Sequence, residues 1–175
     1  MHAKFDRIGL VGRSQQEGLT DVLDELVHLL QGLGKELVLE SRLAELVEDT
    51  SIPRASLDEI GEDSDLVIVV GGDGSLLSAA RTLAKYETPV LGVNRGRLGF
   101  LTDISPDDIA VQVPAVLAGE YTRESRFLLD ARVVREGKTV GRADALNDVV
   151  VNSGTSAQMI EFELSINGVF VYRQR

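Results

Sequence analysis

Asp73 is the acidic side chain inside Gly71-Gly72-Asp73-Gly74-Ser75, and it is the first chemical clue in the chain. A glycine-rich turn ahead of a helix leaves backbone N–H groups open to a phosphate, and the helix start favours an anion there. Gly71, Gly72 and Ser75 are therefore read as part of a candidate phosphate pocket. A carboxylate among such amides repels the same phosphate, so it needs another purpose, whether accepting a proton, holding a hydroxyl or facing a metal ion. The plainer alternative is an aspartate that caps the following helix.

A second glycine-containing stretch, Asn94-Arg95-Gly96-Arg97-Leu98-Gly99-Phe100-Leu101-Thr102-Asp103, follows an apolar run in the same way. Two such loops at strand ends of one sheet edge imply a cleft. Arg95 and Arg97 either offset phosphate charge there or are solvated loop cations. Phe100 is a lid on a flat ring or a core anchor, and the general burial of phenylalanine favours the core. Asn147-Asp148 interrupts the apolar run Ala145 to Val151. An amide beside a carboxylate can grip the two hydroxyls of a ribose, but the same pair is favoured in bulges and turns, and the residues leave both open. His2 in a terminus and His28 on a polar helix face are poor catalytic or metal candidates.

The elements that must position these groups follow from periodicity. Leu66-Val67-Ile68-Val69-Val70 is a continuous apolar run of the kind buried on both faces in a parallel sheet. From Ser75 onward Leu76, Leu77, Ala79, Ala80, Leu83 and Ala84 recur at helical spacing, so the glycine loop lies between a strand end and a helix start. Upstream, Phe5 to Gly12 reads as a strand, Glu17 to Leu33 as an amphipathic helix closed by Gly32 and Gly34, and Glu36 to Glu40 as a short strand. Arg42 to Glu48 reads as a short helix and Glu48 to Pro53 as a polar connection. Thr88 to Asn94 is a further buried strand, and Ser105-Pro106-Asp107-Asp108 starts a helix with serine as its cap. Alternating strand and helix predicts an α/β fold with a doubly wound, mostly parallel sheet. Past Tyr121 the pattern changes to hairpins, one turning at Glu136-Gly137 and one at Asn167-Gly168. The predicted division is therefore an α/β domain over 1–121 and the start of an antiparallel β-rich domain over 122–175.

Composition limits the function. Hydrophobic residues make up 43% of the 175, enough for a real core. With 28 acidic against 18 basic residues the net charge is −10, which argues against a general nucleic-acid surface. A polyanionic ligand would need local arginine or a divalent cation. The absence of cysteine excludes disulfides, thiolate metal sites and thiol nucleophiles. No apolar run approaches bilayer length and no leader is evident, so the expectation is a soluble cytoplasmic protein with no membrane partner.

Taken together, Gly71-Gly72-Asp73-Gly74-Ser75, the Asn94–Asp103 loop, Ala145-Leu146-Asn147-Asp148-Val149 and Met159-Ile160-Glu161-Phe162-Glu163 resemble the bacterial NAD kinases in order and spacing. Gly-Gly-Asp-Gly alone is shared with diacylglycerol-type lipid kinases and phosphofructokinases; the Asn-Asp pair and the Leu-Gly-Phe loop narrow the choice. The resemblance implies transfer of the terminal phosphate of ATP to the 2′-hydroxyl of the adenosine ribose of NAD, with a divalent metal such as Mg²⁺ and a homo-oligomer, dimer or tetramer. It implies that Asp73 accepts the hydroxyl proton and that Asp73, Gly74, Asn147, Asp148, Gln158 and Arg175 bind NAD. In that family the β-rich domain continues through a Thr-Gly-Ser-Thr-Ala-Tyr-type motif not found in these residues, so the chain is read as an N-terminal portion of a longer enzyme, inactive by itself. The rival expectations are a diacylglycerol-type lipid kinase and a non-catalytic nucleotide-binding fragment.

Overall fold

The computed structural model describes residues 5–13, 18–43, 45–95, 99–152 and 159–175. In chain order, strand β1 (Arg7–Gly12) leads to helix α1 (Leu19–Gly32) and strand β2 (Glu36–Glu40). Strand β3 (Arg54–Ala55), helix α2 (Leu57–Asp63), strand β4 (Leu66–Val70) and helix α3 (Asp73–Leu83) follow, then strand β5 (Val90–Val93) and helix α4 (Ile109–Leu117). The five strands form one parallel sheet in the order β3-β2-β1-β4-β5, the doubly wound arrangement predicted from the alternation. Two antiparallel hairpins complete the chain, so the α/β class with added β structure holds.

Parallel strands with helices on both faces must be apolar throughout, and every residue of β4 is buried. On one face α1 and α4 close over Ile8, Leu10, Ile68 and Val70; on the other, α2 and α3 cover Val67 and Val69 through Ile60, Ala79 and Leu83. The order reverses between β1 and β4, whose carboxyl ends lie side by side with Gly12 opposite Val70. Ligands of open α/β sheets bind outside that reversal, where the connections diverge to opposite faces. At the opposite end of β1, the Asp65 carboxylate accepts from the Asp6 and Arg7 amides at 3.0 and 2.8 Å, fixing the start of the strand.

Three local expectations change. Among the described residues no α-helix spans Arg42 to Glu48: a 3-10 turn lies at Ser41–Leu43, and residues 45–53 are irregular and bury Val47 and Ile52. That segment must deliver β3 beside β2, and the Arg54 guanidinium donates to the carbonyls of Ile52 and Asp49, at 2.9 and 3.1 Å, which regular structure would otherwise satisfy. Ser105 does not cap by accepting a backbone N–H. Its hydroxyl donates to Asp108 at 2.7 Å, and Pro106–Asp108 forms a 3-10 turn ahead of α4. Finally, residues 146–152 are not a strand, so Asn147-Asp148 lies in an irregular segment and not within an apolar strand.

By compactness the chain forms two units, residues 1–128 and 129–175. In the second, β6 (Leu129–Arg135) pairs with β7 (Lys138–Ala145), and β8 (Phe162–Ile166) pairs with β9 (Val169–Gln174). Both hairpins turn through two residues with positive φ, 50° and 76° at Glu136-Gly137 and 53° and 79° at Asn167-Gly168. Such turns match the right-handed twist of the flanking strands, which is why the two dipeptides are readable as turns.

Candidate active site

β4 ends at Val70 and the backbone breaks sharply at Gly71, whose φ of 153° is a conformation that side-chain-bearing residues rarely adopt. Gly72 and Gly74 do not share that conformation. Gly72 is ordinary extended backbone and the N-cap of α3, while Gly74 sits in the first turn of that helix. Open space lies where a Cβ would stand on each, so their smallness leaves room against the helix start and does not serve strain. The first residues of a helix carry N–H groups with no intrahelical acceptor, so the head of α3 favours an anion.

Asp73 is the first helical residue, and its side chain does not cap α3. It reaches across to the loop that returns from β5. There Oδ2 accepts from the Phe100 amide at 3.0 Å and Oδ1 from the Leu101 amide at 2.9 Å. These N–H groups, with a weaker contribution from the Thr102 amide, hold the carboxyl below its usual pKa range against partial desolvation. Asp73 is therefore an ionised carboxylate at neutral pH, gripped through one lone pair on each oxygen. A carboxylate has about four acceptor positions, so others remain for a ligand hydroxyl. Gly99 packs against it so closely that a Cβ there would overlap the carboxylate.

The placement of Phe100 corrects the core reading. Its ring is 98% exposed, because the loop turns its backbone toward Asp73 and the side chain outward. Arg95 is exposed beside this loop, with its amide donating to the Asn94 side chain at 2.7 Å. Arg97 and Gln158 lie outside the described residues. Ser75 is buried, and its hydroxyl has no hydrogen-bond partner among the described residues.

Ser75 and Ser78 form one wall of a cleft whose other walls carry Gly12, Arg13, Glu40 and Arg42 at the carboxyl ends of β1 and β2. Sequence reasoning reaches none of these last four. The available signal is Glu40, a charged residue ending an apolar strand. Its side chain is 5% exposed, ion-paired with Arg42 at 3.0 Å and bonded to the Gly12 amide, and burial still pushes its carboxyl pKa up. Among the described residues no group of three or more histidine, cysteine or acidic side chains could hold a metal, and no helix is long and apolar enough to cross a membrane.

In the second unit, Asn147 and Asp148 are exposed just beyond β7, and Arg175 is exposed just beyond β9. Residues 1–128 thus bring together Asp73, the three glycines, Ser75 and the Phe100–Leu101 amides.

Similarity to other proteins agrees with this arrangement. Residues 8–121 match the family model described as the ATP-NAD kinase N-terminal domain. The chain is 53% identical over 171 residues to a NAD kinase of Chromohalobacter salexigens, covering 98% of this chain and 58% of that one. It is also 53% identical to a NAD kinase of Alcanivorax borkumensis, covering 98% and 57%, and 50% identical to one of Acinetobacter baylyi, covering 97% and 55%. The chain therefore spans less than two thirds of the length of these relatives. Among solved structures, yeast NADH kinase complexed with NADH superposes with a TM-score of 0.81 at 18% identity, covering 97% of this chain and 55% of that one, a likeness of fold. A site of this geometry, in a chain matched by the family model over its sheet and helices, makes this protein a member of the ATP-NAD kinase N-terminal domain family.

Proposed function

We propose that the full-length protein is a NAD kinase, transferring the terminal phosphate of ATP to the 2′-hydroxyl of the adenosine ribose of NAD to give NADP. The observation that carries this reading is the Asp73 carboxylate, ionised and oriented by two amides beside open backbone at Gly72 and Gly74. In the reaction the ribose O2′ bonds to the terminal phosphorus while the bond from that phosphorus to the ADP oxygen breaks, and the hydroxyl proton passes to a free lone pair of Asp73. Phosphoryl transfer of this kind needs chiefly position and charge neutralisation, because bonding to the incoming oxygen is weak in a loose transition state. A low-pKa carboxylate suits such a transition state, since it orients the hydroxyl first and takes its proton late.

The open space beside Gly72 and Gly74 and the partnerless Ser75 hydroxyl support a phosphate-bearing ligand at the head of α3. With no acidic cluster among the described residues, the donor set suits a Mg²⁺ ion that arrives on the ATP phosphates and takes at most one or two carboxylates from the protein. When bound it would neutralise phosphate charge, with Asp73 as the ionised carboxylate beside the glycine turn. On the same reading Gly74, Asn147, Asp148, Gln158 and Arg175 contact the dinucleotide, Asn147 and Asp148 through ribose hydroxyls.

Steady-state kinetics of the full-length enzyme with NAD, ATP and Mg²⁺ test this. General-base assistance contributes about 10²–10⁴ in rate, so Asp73→Asn lowers kcat by that order while the KM for NAD changes little. Equal loss of turnover and NAD binding, or unchanged turnover, contradicts the assignment.

A further inference from the structure

Asp73 owes its orientation to a loop, and what holds the loop is a buried polar pair outside the groups assigned so far. Asn94 and Thr102 are each 3% exposed, at the end of β5 and on the chain returning beside it. The Asn94 carboxamide donates to the Thr102 hydroxyl oxygen at 3.1 Å, and the Gly99 amide donates to the same oxygen at 3.2 Å. The returning backbone is fastened separately: the Asn94 amide donates to the Ile104 carbonyl at 2.7 Å, and the Asp103 amide donates to the Gly92 carbonyl at 3.0 Å. A Cβ on Gly92 would stand 3.0 Å from the Thr102 Cα, so Thr102 lies directly on β5. The loop is thus pinned at its far end by backbone pairing and at Gly99 by one hydroxyl. Between the two pins sit the Phe100 and Leu101 amides that grip Asp73.

We propose that Thr102, seated by Asn94, is a positioning residue for Asp73, its hydroxyl fixing the loop whose amides set the plane of the carboxylate. The proposal rests on the reading of Asp73 as acceptor of the ribose hydroxyl. Removing the hydroxyl takes the acceptor from the part-buried Gly99 amide and one partner from the Asn94 carboxamide, and the chain between the pins loosens. Among the described residues the influences on Asp73 titration are the Phe100 and Leu101 amides and a weaker Thr102 amide, opposed by desolvation, so losing the amides moves that titration upward.

The full-length enzyme is compared with Thr102→Val, Thr102→Ser and, as an independent route, Gly99→Ala. Gly99→Ala keeps the hydroxyl but puts a methyl where the carboxylate lies, pushing Asp73 off the amides. Two readouts are taken, kcat and KM with their pH dependence, and the ¹³C NMR titration of the Asp73 carboxyl. Thr102→Val lowers kcat about tenfold, a part of the ~10²–10⁴ a positioned base supplies, with KM for NAD within about twofold. The Asp73 titration and the acid limb of kcat shift to higher pH, and Thr102→Ser restores wild-type behaviour. Should Thr102→Val fail to fold, Gly99→Ala carries the same expectation of lost kcat and a raised Asp73 titration. A wild-type Asp73 titration and kcat in Thr102→Val, whatever its Tm, overturns the proposal, as does a wild-type titration in Gly99→Ala. Normal turnover in Asp73→Asn beside a shifted titration in Thr102→Val would instead overturn the reading of Asp73 as hydroxyl acceptor and leave the positioning intact.

Discussion

The two ends of the chain treat apolar residues in opposite ways. In β4 every side chain is buried, and Ile68 is fully enclosed between helices, whereas in β8 and β9 every residue is exposed, with Phe162, Leu164, Ile166 and Phe170 all facing solvent. The assigned groups divide along the same line. Asp73 stands on a helix rooted in the core and is gripped by two amides, while Asn147 and Asp148 stand in irregular, exposed chain. A two-stranded hairpin is marginally stable by itself, so its side chains inherit no fixed frame. The contrast teaches that Asp73 is held in place within residues 1–128, and that Asn147 and Asp148 are given no fixed frame by the hairpins of residues 129–175 alone.

The sharpest way to break this contrast is a matched pair of truncations in this chain. Ile68→Ala removes fully buried volume from the central strand and costs about 2–5 kcal/mol in denaturant unfolding. Leu164→Ala, on an exposed hairpin face, stays within about 0.5 kcal/mol. Comparable losses would mean that the hairpins share the core of the sheet.

Much of that first region is legible in the sequence because its physics is local. The run Leu66–Val70 has to be a covered strand, and the alternation of strands and helices implies the parallel sheet. What escapes depends on contacts distant in the chain. The grip of Phe100 and Leu101 on Asp73 spans 27 and 28 positions and uses backbone amides, which carry no residue signature. Phe100 misleads because its type speaks for burial while it is its backbone amide that bonds Asp73 and its ring that lies exposed. Glu40 and Arg42 enter the cleft only once β2 is placed beside β1. Helix α2 is a different case: Ser56 and Glu59 form a reciprocal capping box, so the Ser-x-x-Glu signature of its start stands in the sequence itself.

Gly9→Ala sharpens the contrast from the packing side. A Cβ at Gly9 would overlap the Ile60 side chain where β1 meets α2, so the substitution costs about 1–3 kcal/mol by overpacking. Gly137 has open space around it, yet its φ of 76° makes the alanine variant strained for a local reason only. Urea unfolding of Gly9→Ala separates the two: a midpoint equal to wild type would show that α2 can slide off β1 freely.

The smallest effect is electrostatic. Burial raises the Glu40 pKa above its ordinary 4.5, so the folded state binds that proton more tightly than the unfolded state. Its contribution is fully present below 4.5 and is lost as the pH rises through the raised folded value. Glu40→Gln cannot ionise, so across that window the wild-type Tm falls relative to that of the variant. A wild-type Tm that rises relative to the variant across that window would assign the dominant effect to the Arg42 ion pair instead.

One carboxylate and one hydroxyl decide the assignment, and a crystal structure of the full-length protein with NAD bound shows whether they meet. The adenosine O2′ is expected within about 3 Å of an Asp73 carboxylate oxygen, with the Phe100 and Leu101 amides still bonded to that side chain. Asp73 bonded to those amides alone, with the ribose lying elsewhere, would contradict it.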